Sequence, residues 1–235
     1  MSIDATAVAD FYATRRGVMA ARQVRSRLMA MWPDLTGQDL LGIGYPAPYL
    51  RLWREQAARC IVITPAQMGR THWPTARLNA SATAEEDALP LADVSIDRVL
   101  IIHGLEHAET ARRMLREAWR VLRPEGRMIV VVPNRASLWA YLERTPFGHG
   151  QPYSAAQLGR LLAGAMFRVD RRDMALLMPP VGLGSALRTA DIAERIGRRA
   201  LPQLGGLVIA EAVKDIAGLI PLAEGRRRLV LVSSI

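Results

Sequence analysis

The sequence predicts an α/β fold: a doubly wound, mostly parallel, seven-stranded sheet with helices on both faces. Three observations carry that expectation. Short apolar segments alternate with longer stretches in which apolar residues recur every three to four positions, as strand–helix–strand units require. Residues 99–102 and 128–132 are continuous apolar runs, typical of strands covered on both faces. The first strand, over 39–43, leads into the turn Leu41-Gly42-Ile43-Gly44-Tyr45-Pro46-Ala47-Pro48 and then a helical stretch. In such a sheet that turn presents backbone N–H groups to a ligand.

The elements follow in order. Asp4 can cap a helix starting at Ala5, with Val8, Phe11 and Tyr12 on one face and Gly17 as its expected interruption. Val18, Ala21, Val24, Leu28, Met31 and Trp32 continue at helical spacing until Pro33 stops them. Strands are expected over 40–43, 60–63, 77–80 and 98–102, with a helix over 50–59 burying Leu50, Trp53 and Ala57. Ala108, Ala111, Leu115, Ala118, Trp119 and Leu122 trace a helical face, closed by Pro124 and Gly126. A fifth strand spans 128–132. Ser154 caps a helix through Leu158, Leu161, Leu162 and Met166, and a sixth strand spans 169–177. A helix is expected over 185–199 and the last strand over 205–214. The division expected is an amphipathic arm at 1–37, the α/β domain at 38–214 with its helical insertion at about 185–199, and an extension at 215–235.

Composition bounds the rest. Half of the 235 residues are hydrophobic, enough for a sizeable core. Cys60 is the single cysteine, so no disulfide can form within the chain. The start lacks a basic segment followed by an apolar one, and no apolar run approaches the roughly 20 residues of a membrane span. A cytoplasmic setting is expected, with no membrane span. The net charge of +9 is almost all arginine, since Lys214 is the sole lysine. The arginines are spread along the chain without interleaved aromatics, so specific nucleic-acid binding is not expected. The basic arm, the segment 179–184 or the arginines at 226–228 could instead dock a protein partner.

From Gln38 to Lys214 the chain resembles the class I S-adenosylmethionine (SAM)-dependent methyltransferases, which are Rossmann-like. Ser95-Ile96-Asp97-Arg98-Val99, Leu105-Glu106-His107, Glu117 and Arg120-Val121-Leu122-Arg123-Pro124-Glu125-Gly126 carry the likeness. Ala88-Leu89-Pro90-Leu91, Pro133-Asn134 and His149-Gly150-Gln151-Pro152-Tyr153-Ser154 add to it. The resemblance implies SAM as cofactor and transfer of a methyl group to a small molecule or a protein.

The departures matter as much. The family's first loop reads acid-x-G-x-G-x-G; here Gly42 stands for the acid, Gly44 keeps the first glycine, and Pro46 and Pro48 replace the next two. Proline fixes φ near −65° and has no N–H to donate. The acid that ends the family's second strand is replaced in the region of Val62, Ile63 and Thr64. Glu85, Glu86 or Asp87 falls where an acid would meet the adenine amine. Hydrogen bonds to charged groups contribute about 1.5–3 kcal/mol each, so losing two or three weakens binding by roughly two to four powers of ten. Candidate cofactor contacts are therefore Gly42, Gly44, Tyr45, Pro46, Ala47, Glu85, Glu86, Asp87 and His103. Tyr45 could stack on adenine or fill its place. For the chemistry, His103 is either a base and substrate contact or a packed histidine. Asn134, His149 and Tyr153 either line the acceptor pocket or serve the turn and helix entry around them. His103-Gly104-Leu105-Glu106-His107 also fits a zinc-protease pattern, but His103 ends a strand, so its two histidines do not share a helical face and no metal is expected. Two functions stand: a methyltransferase with weakened SAM binding, or an inactive scaffold that binds or regulates a partner.

Overall fold

The structure is a computed structural model, and residues 4–74, 78–177 and 205–215 are described. The helix expected over 185–199, the segment 179–184 and the arginines at 226–228 lie outside them. A single sheet runs in the order β3-β2-β1-β4-β5-β7-β6. Its strands are β1 (Asp39–Gly44), β2 (Arg59–Pro65), β3 (Ser81–Ala84), β4 (Ile96–Ile102), β5 (Leu122–Pro133), β6 (Phe167–Ala175) and β7 (Leu207–Lys214). β1 to β5 pair in parallel, while β7 runs antiparallel to both β5 and β6. The seven-stranded, mostly parallel expectation holds, with β7 as the reversed strand.

Helices cover both faces. On one side α1 (Ala5–Ala13) and α2 (Arg15–Met31) pack Phe11, Val24, Leu28 and Trp32 against Leu40, Leu100 and Ile129. On the other, α4 (Ala111–Val121) and α5 (Ala155–Gly164) pack Leu115, Ala118, Leu158 and Leu162 against Ile43, Val99, Ile101 and Val130. Alternate residues of β1 and β4 thus feed opposite cores, which is why their sequence reads as unbroken apolar runs. α2 is also pinned by polar contacts. Trp32 Nε1 donates to the fully buried Glu211 (2.9 Å), whose carboxylate also meets Arg127 (3.2 Å) and Arg171 (3.0 Å). Part of the arginine excess is therefore spent inside the fold.

Several expected boundaries shift. The break between the first two helices falls at Thr14, not Gly17: the Thr14 side chain accepts from Gly17 N–H and caps α2. Gly17 sits in the first turn of α2, where a Cβ would lie 2.0 Å from the Phe11 carbonyl oxygen. Val18, read as inward, is exposed. The helix expected over 50–59 is only α3 (Ala47–Leu50) followed by turns, although Leu50 and Trp53 are buried as read. β3 forms at 81–84 rather than 77–80, and β5 begins at Leu122, so the proline–glycine turn lies within the strand's span. α5 is capped as expected, with Ser154 and Gln157 closing a reciprocal capping box.

Candidate functional site

Strand order reverses between β1 and β4, so a ligand of this topology enters the crevice outside their carboxyl ends. The turn after β1 forms one wall. Gly44 has φ +92°, and a Cβ there would lie 2.3 Å from the Ile102 carbonyl oxygen, so only glycine allows this approach to β4. Tyr45 N–H donates to that same carbonyl (2.8 Å). Tyr49 and Leu50 N–H both donate to Pro46 O, at 2.8 and 3.1 Å. Ala47 opens α3 between the two prolines. Of the residues from Tyr45 to Tyr49, two spend their N–H inside the fold and two have none.

The carboxylate position is closed as well. A Cβ on Gly42 would lie 2.5 Å from Pro46 Cγ and 2.8 Å from Leu50 Cδ1. At the end of β2, Thr64 Oγ1 is hydrogen-bonded to Thr71 Oγ1 (2.6 Å), followed by Pro65. The three acids after β3 differ. Glu86 is buried and accepts from Gln67 Nε2 (2.7 Å) and Thr110 N–H (2.9 Å), where α4 begins. Asp87 pairs with Arg113 (3.2 Å). The Glu85 side chain is exposed and makes no hydrogen bond or ion pair among the described residues. These residues do not reproduce the donor set that the resemblance implies for SAM.

The floor of the crevice is aromatic and is filled from within. His103 follows β4 with φ +53°, a left-handed backbone that a side chain rarely adopts, and is 1% exposed. Its Nε2 lies 2.7 Å from the Tyr12 hydroxyl, which lies 2.7 Å from the Tyr49 hydroxyl. Its Nδ1 faces Glu106 Oε1 at 3.3 Å. Tyr12 descends from the last turn of α1. Its ring lies parallel to Tyr45 (6°, 6.1 Å between centroids) and perpendicular to Tyr49 (90°, 5.9 Å). Phe147 packs on His103 at 5.1 Å, with Phe11 5.7 Å behind it. Burial raises the pKa of Tyr12, Tyr45 and Tyr49, so all three phenols stay protonated.

Glu106 and His107 stand in turns before α4, which begins at Ala111, rather than starting the helix as expected. His107 has its pKa lowered by burial, and neither ring nitrogen has a hydrogen-bond partner. Among the described residues no group of three or more His, Cys, Asp or Glu is placed to hold a metal.

The other candidates surround this floor without pointing to it. Asn134 Nδ2 donates to Gly205 O (2.8 Å) and its Oδ1 accepts from Ala136 N–H (3.2 Å), tying the end of β5 to β7. Tyr153 is bridged to Asn134 through the backbone, and its ring joins the α4–α5 core. His149 Nε2 meets Glu143 O at 2.7 Å. Tyr12, Phe147 and the hydroxyl of Tyr49 are what sequence reasoning missed at the site. Tyr12 was legible as an inward residue of the first helix, but nothing in one dimension says which end of the sheet that helix covers.

A second hollow of about 520 Å³ lies near the amino ends of β2 and β3, lined by Arg54, Cys60, Trp73 and Ala80 among others. Burial pushes the Cys60 thiol up to about 12, so it stays protonated and unreactive.

Comparison with known proteins bears on the whole domain. Residues 40–130 match the family described as "Methyltransferase domain". A probable S-adenosylmethionine-dependent methyltransferase of Mycobacterium tuberculosis is 30% identical over 193 residues, covering 79% of this chain and 64% of that protein. The chain thus spans less than two thirds of the length of this relative. Among solved structures, a possible histamine N-methyltransferase of Thermotoga maritima superposes with a TM-score of 0.61 at 17% identity, over 88% of this chain and 94% of that one. A putative methyltransferase in complex with the Haloferax volcanii Trm112 activator superposes with a TM-score of 0.62 at 18% identity, over 89% and 97%. At these identities the two structures speak for the fold alone.

Proposed function

We propose that this chain, which belongs to the class I SAM-dependent methyltransferase superfamily, binds SAM weakly and transfers its methyl group, to a small molecule or a protein, only when Tyr12 has left the crevice. S-adenosylmethionine is the cofactor that the matching domain family and the relatives support. The observation that carries the reading is the Tyr12 hydroxyl seated between His103 Nε2 and Tyr49 at the switch point of the sheet. A side chain there competes with any ligand for the same base and the same space. The turn after β1 supports the weak affinity, since prolines and internal hydrogen bonds consume the donors it could offer.

Isothermal titration of SAM and S-adenosylhomocysteine into wild type and Tyr12→Ala tests this. The expected result is weak binding to wild type, tightened about tenfold or more by the substitution, as removal of an occupying side chain predicts. Micromolar binding to wild type that Tyr12→Ala leaves unchanged would overturn it.

A second reading, an inactive scaffold that binds or regulates a partner through its basic arm or carboxyl-terminal tail, is favoured by one observation. The position of the family's loop carboxylate has no room for one, because Pro46 fills it. The putative methyltransferase solved in complex with the Haloferax volcanii Trm112 activator makes a protein partner a reasonable object of search. On this reading neither wild type nor Tyr12→Ala binds SAM at any accessible concentration.

A further inference from the structure

The hydrogen-bond chain at the crevice floor has a direction. Glu106 Oε1 faces His103 Nδ1, and both side chains are 1% exposed. No hydrogen bond closes between them at this 3.3 Å, but with a carboxylate on the Nδ1 side the tautomer protonated at Nδ1 leaves Nε2 as an acceptor. Tyr12 O–H then donates to Nε2, and Tyr49 O–H donates to Tyr12 Oη. A histidine that merely filled space would need neither the carboxylate behind it nor a left-handed backbone, which costs of order 1 kcal/mol or more. This one presents Nε2 to the Tyr12 hydroxyl. The slot around that hydroxyl is flat and aromatic, with Tyr45 parallel to the occupant's ring and Tyr49 edge-on to it. Tyr12 itself is half-buried, and opening the slot requires its ring to swing out while Val8 and Phe11 keep α1 anchored.

We propose that this slot is the binding site for a ligand bearing an aromatic hydroxyl, and that Tyr12 occupies it as an internal surrogate. The proposal rests on reading the crevice as the functional site and narrows one ligand of that crevice to the phenol class. His103 Nε2 receives the ligand's hydroxyl, and Tyr45 and Tyr49 wall its ring.

The probes are p-cresol, which copies the tyrosine side chain, and toluene, which copies it without the hydroxyl. Calorimetric titrations without SAM are run on wild type, Tyr12→Ala and Tyr12→Ala/His103→Leu. Tyr12→Ala is expected to bind p-cresol about tenfold or more tighter than wild type does, and about tenfold tighter than it binds toluene, the value of one buried hydrogen bond. The double variant is expected to lose that preference. Equal binding of the two probes to Tyr12→Ala would show an apolar hole only and overturn the proposal. Wild type gives a second readout that survives a poorly folding variant. Millimolar p-cresol, and not toluene, is expected to move the His103 imidazole signals in a carbon–proton NMR spectrum, and their failure to move overturns the exchange. Because SAM is absent, tight SAM binding to wild type would retire the weak-donor reading while leaving this result standing.

Discussion

The turn after β1 and the corner where α4 passes into β5 both carry methyltransferase motifs, yet they differ in what their residues touch. At the corner the charged motif residues Glu117, Arg120 and Arg123 hold other parts of the chain. Arg120 donates to the carbonyls of Leu89 (3.0 Å) and Leu91 (2.8 Å) and pairs with Glu117 (2.8 Å) and Asp93 (2.6 Å). Glu117 accepts from Leu89 N–H (2.9 Å). Arg123 joins Asp97 to Asp39 across the amino ends of β4 and β1, and Asp97 also accepts from Asp39 N–H (2.8 Å). At the turn after β1, the positions where the family serves a ligand carry prolines and a glycine with no room for a side chain. The charged residues of the corner hold the fold together, while the turn after β1 departs from the loop that the resemblance implies at the positions that would face the donor. Motif likeness at the corner therefore speaks for architecture, and it would read the same whether or not SAM binds.

The largest effect expected from this contrast is at the corner. Arg120→Ala leaves two carbonyls and two carboxylates without their cation, and is expected to cost about 2–4 kcal/mol in urea unfolding. A loss below about 0.5 kcal/mol would mean that the corner is not structural and the contrast is empty. Next is Gly42→Asp. Its Cβ collides with the Pro46 ring, so the single change is expected to cost about 1–3 kcal/mol by overpacking and to gain no SAM affinity. Combined with Pro46→Gly and Pro48→Gly the ring collision is gone, leaving the flexible end of Leu50 to give way. The triple variant is expected to recover SAM binding by calorimetry. If wild type fails to bind and the triple variant fails too, the loss does not reside in this turn.

The architecture was legible because it rests on signals that repeat along the chain. Apolar runs at 99–102 and 128–132 declared buried strands, and Ser154 with Gln157 declared a helix start. The misses have local causes. Gly17 looked like a breaker, but the Thr14 hydroxyl caps the next helix and sets the boundary three residues earlier. β3 sits at an edge with half-exposed residues, so its pattern was too weak to place within four residues. The site was legible where it lies at or just after a strand end, at Gly44, Tyr45 and His103. Its other half, Tyr12 and Phe147, arrives from segments 91 and 44 positions away from or beyond His103 in sequence terms, and no periodicity encodes such a meeting.

A smaller effect tests the floor itself. Tyr12→Phe keeps the ring and removes the hydroxyl that joins Tyr49 to His103, and is expected to cost about 1 kcal/mol. No cost would mean that the hydroxyl chain is incidental. Beside it, His107 gives a pH signature. Burial lowers its pKa below the ordinary 6.5, so the folded state keeps it neutral while the unfolded chain binds a proton. Its contribution is fully present above pH 6.5 and is lost as pH falls from there through the folded value. Urea unfolding is therefore expected to weaken on acidification through this window, and His107→Gln to flatten that slope. An unchanged slope would place the titration elsewhere.

The smallest stability effect belongs to the one acid that could still serve a ligand. Glu86 is committed to Gln67 and the start of α4, so replacing it disturbs the fold before it disturbs binding, and the Asp87 carboxylate is taken up by an exposed pair with Arg113. Glu85 is exposed and holds nothing among the described residues. Glu85→Ala is expected to change unfolding by less than about 0.5 kcal/mol. In the Tyr12→Ala background, where the crevice is open, the same change is expected to weaken S-adenosylhomocysteine by about tenfold, one hydrogen bond to a charged group. If affinity is untouched while Glu86→Gln abolishes it without unfolding the protein, the adenine contact lies one residue further on, and the division between fold-holding and ligand-holding letters fails at that residue.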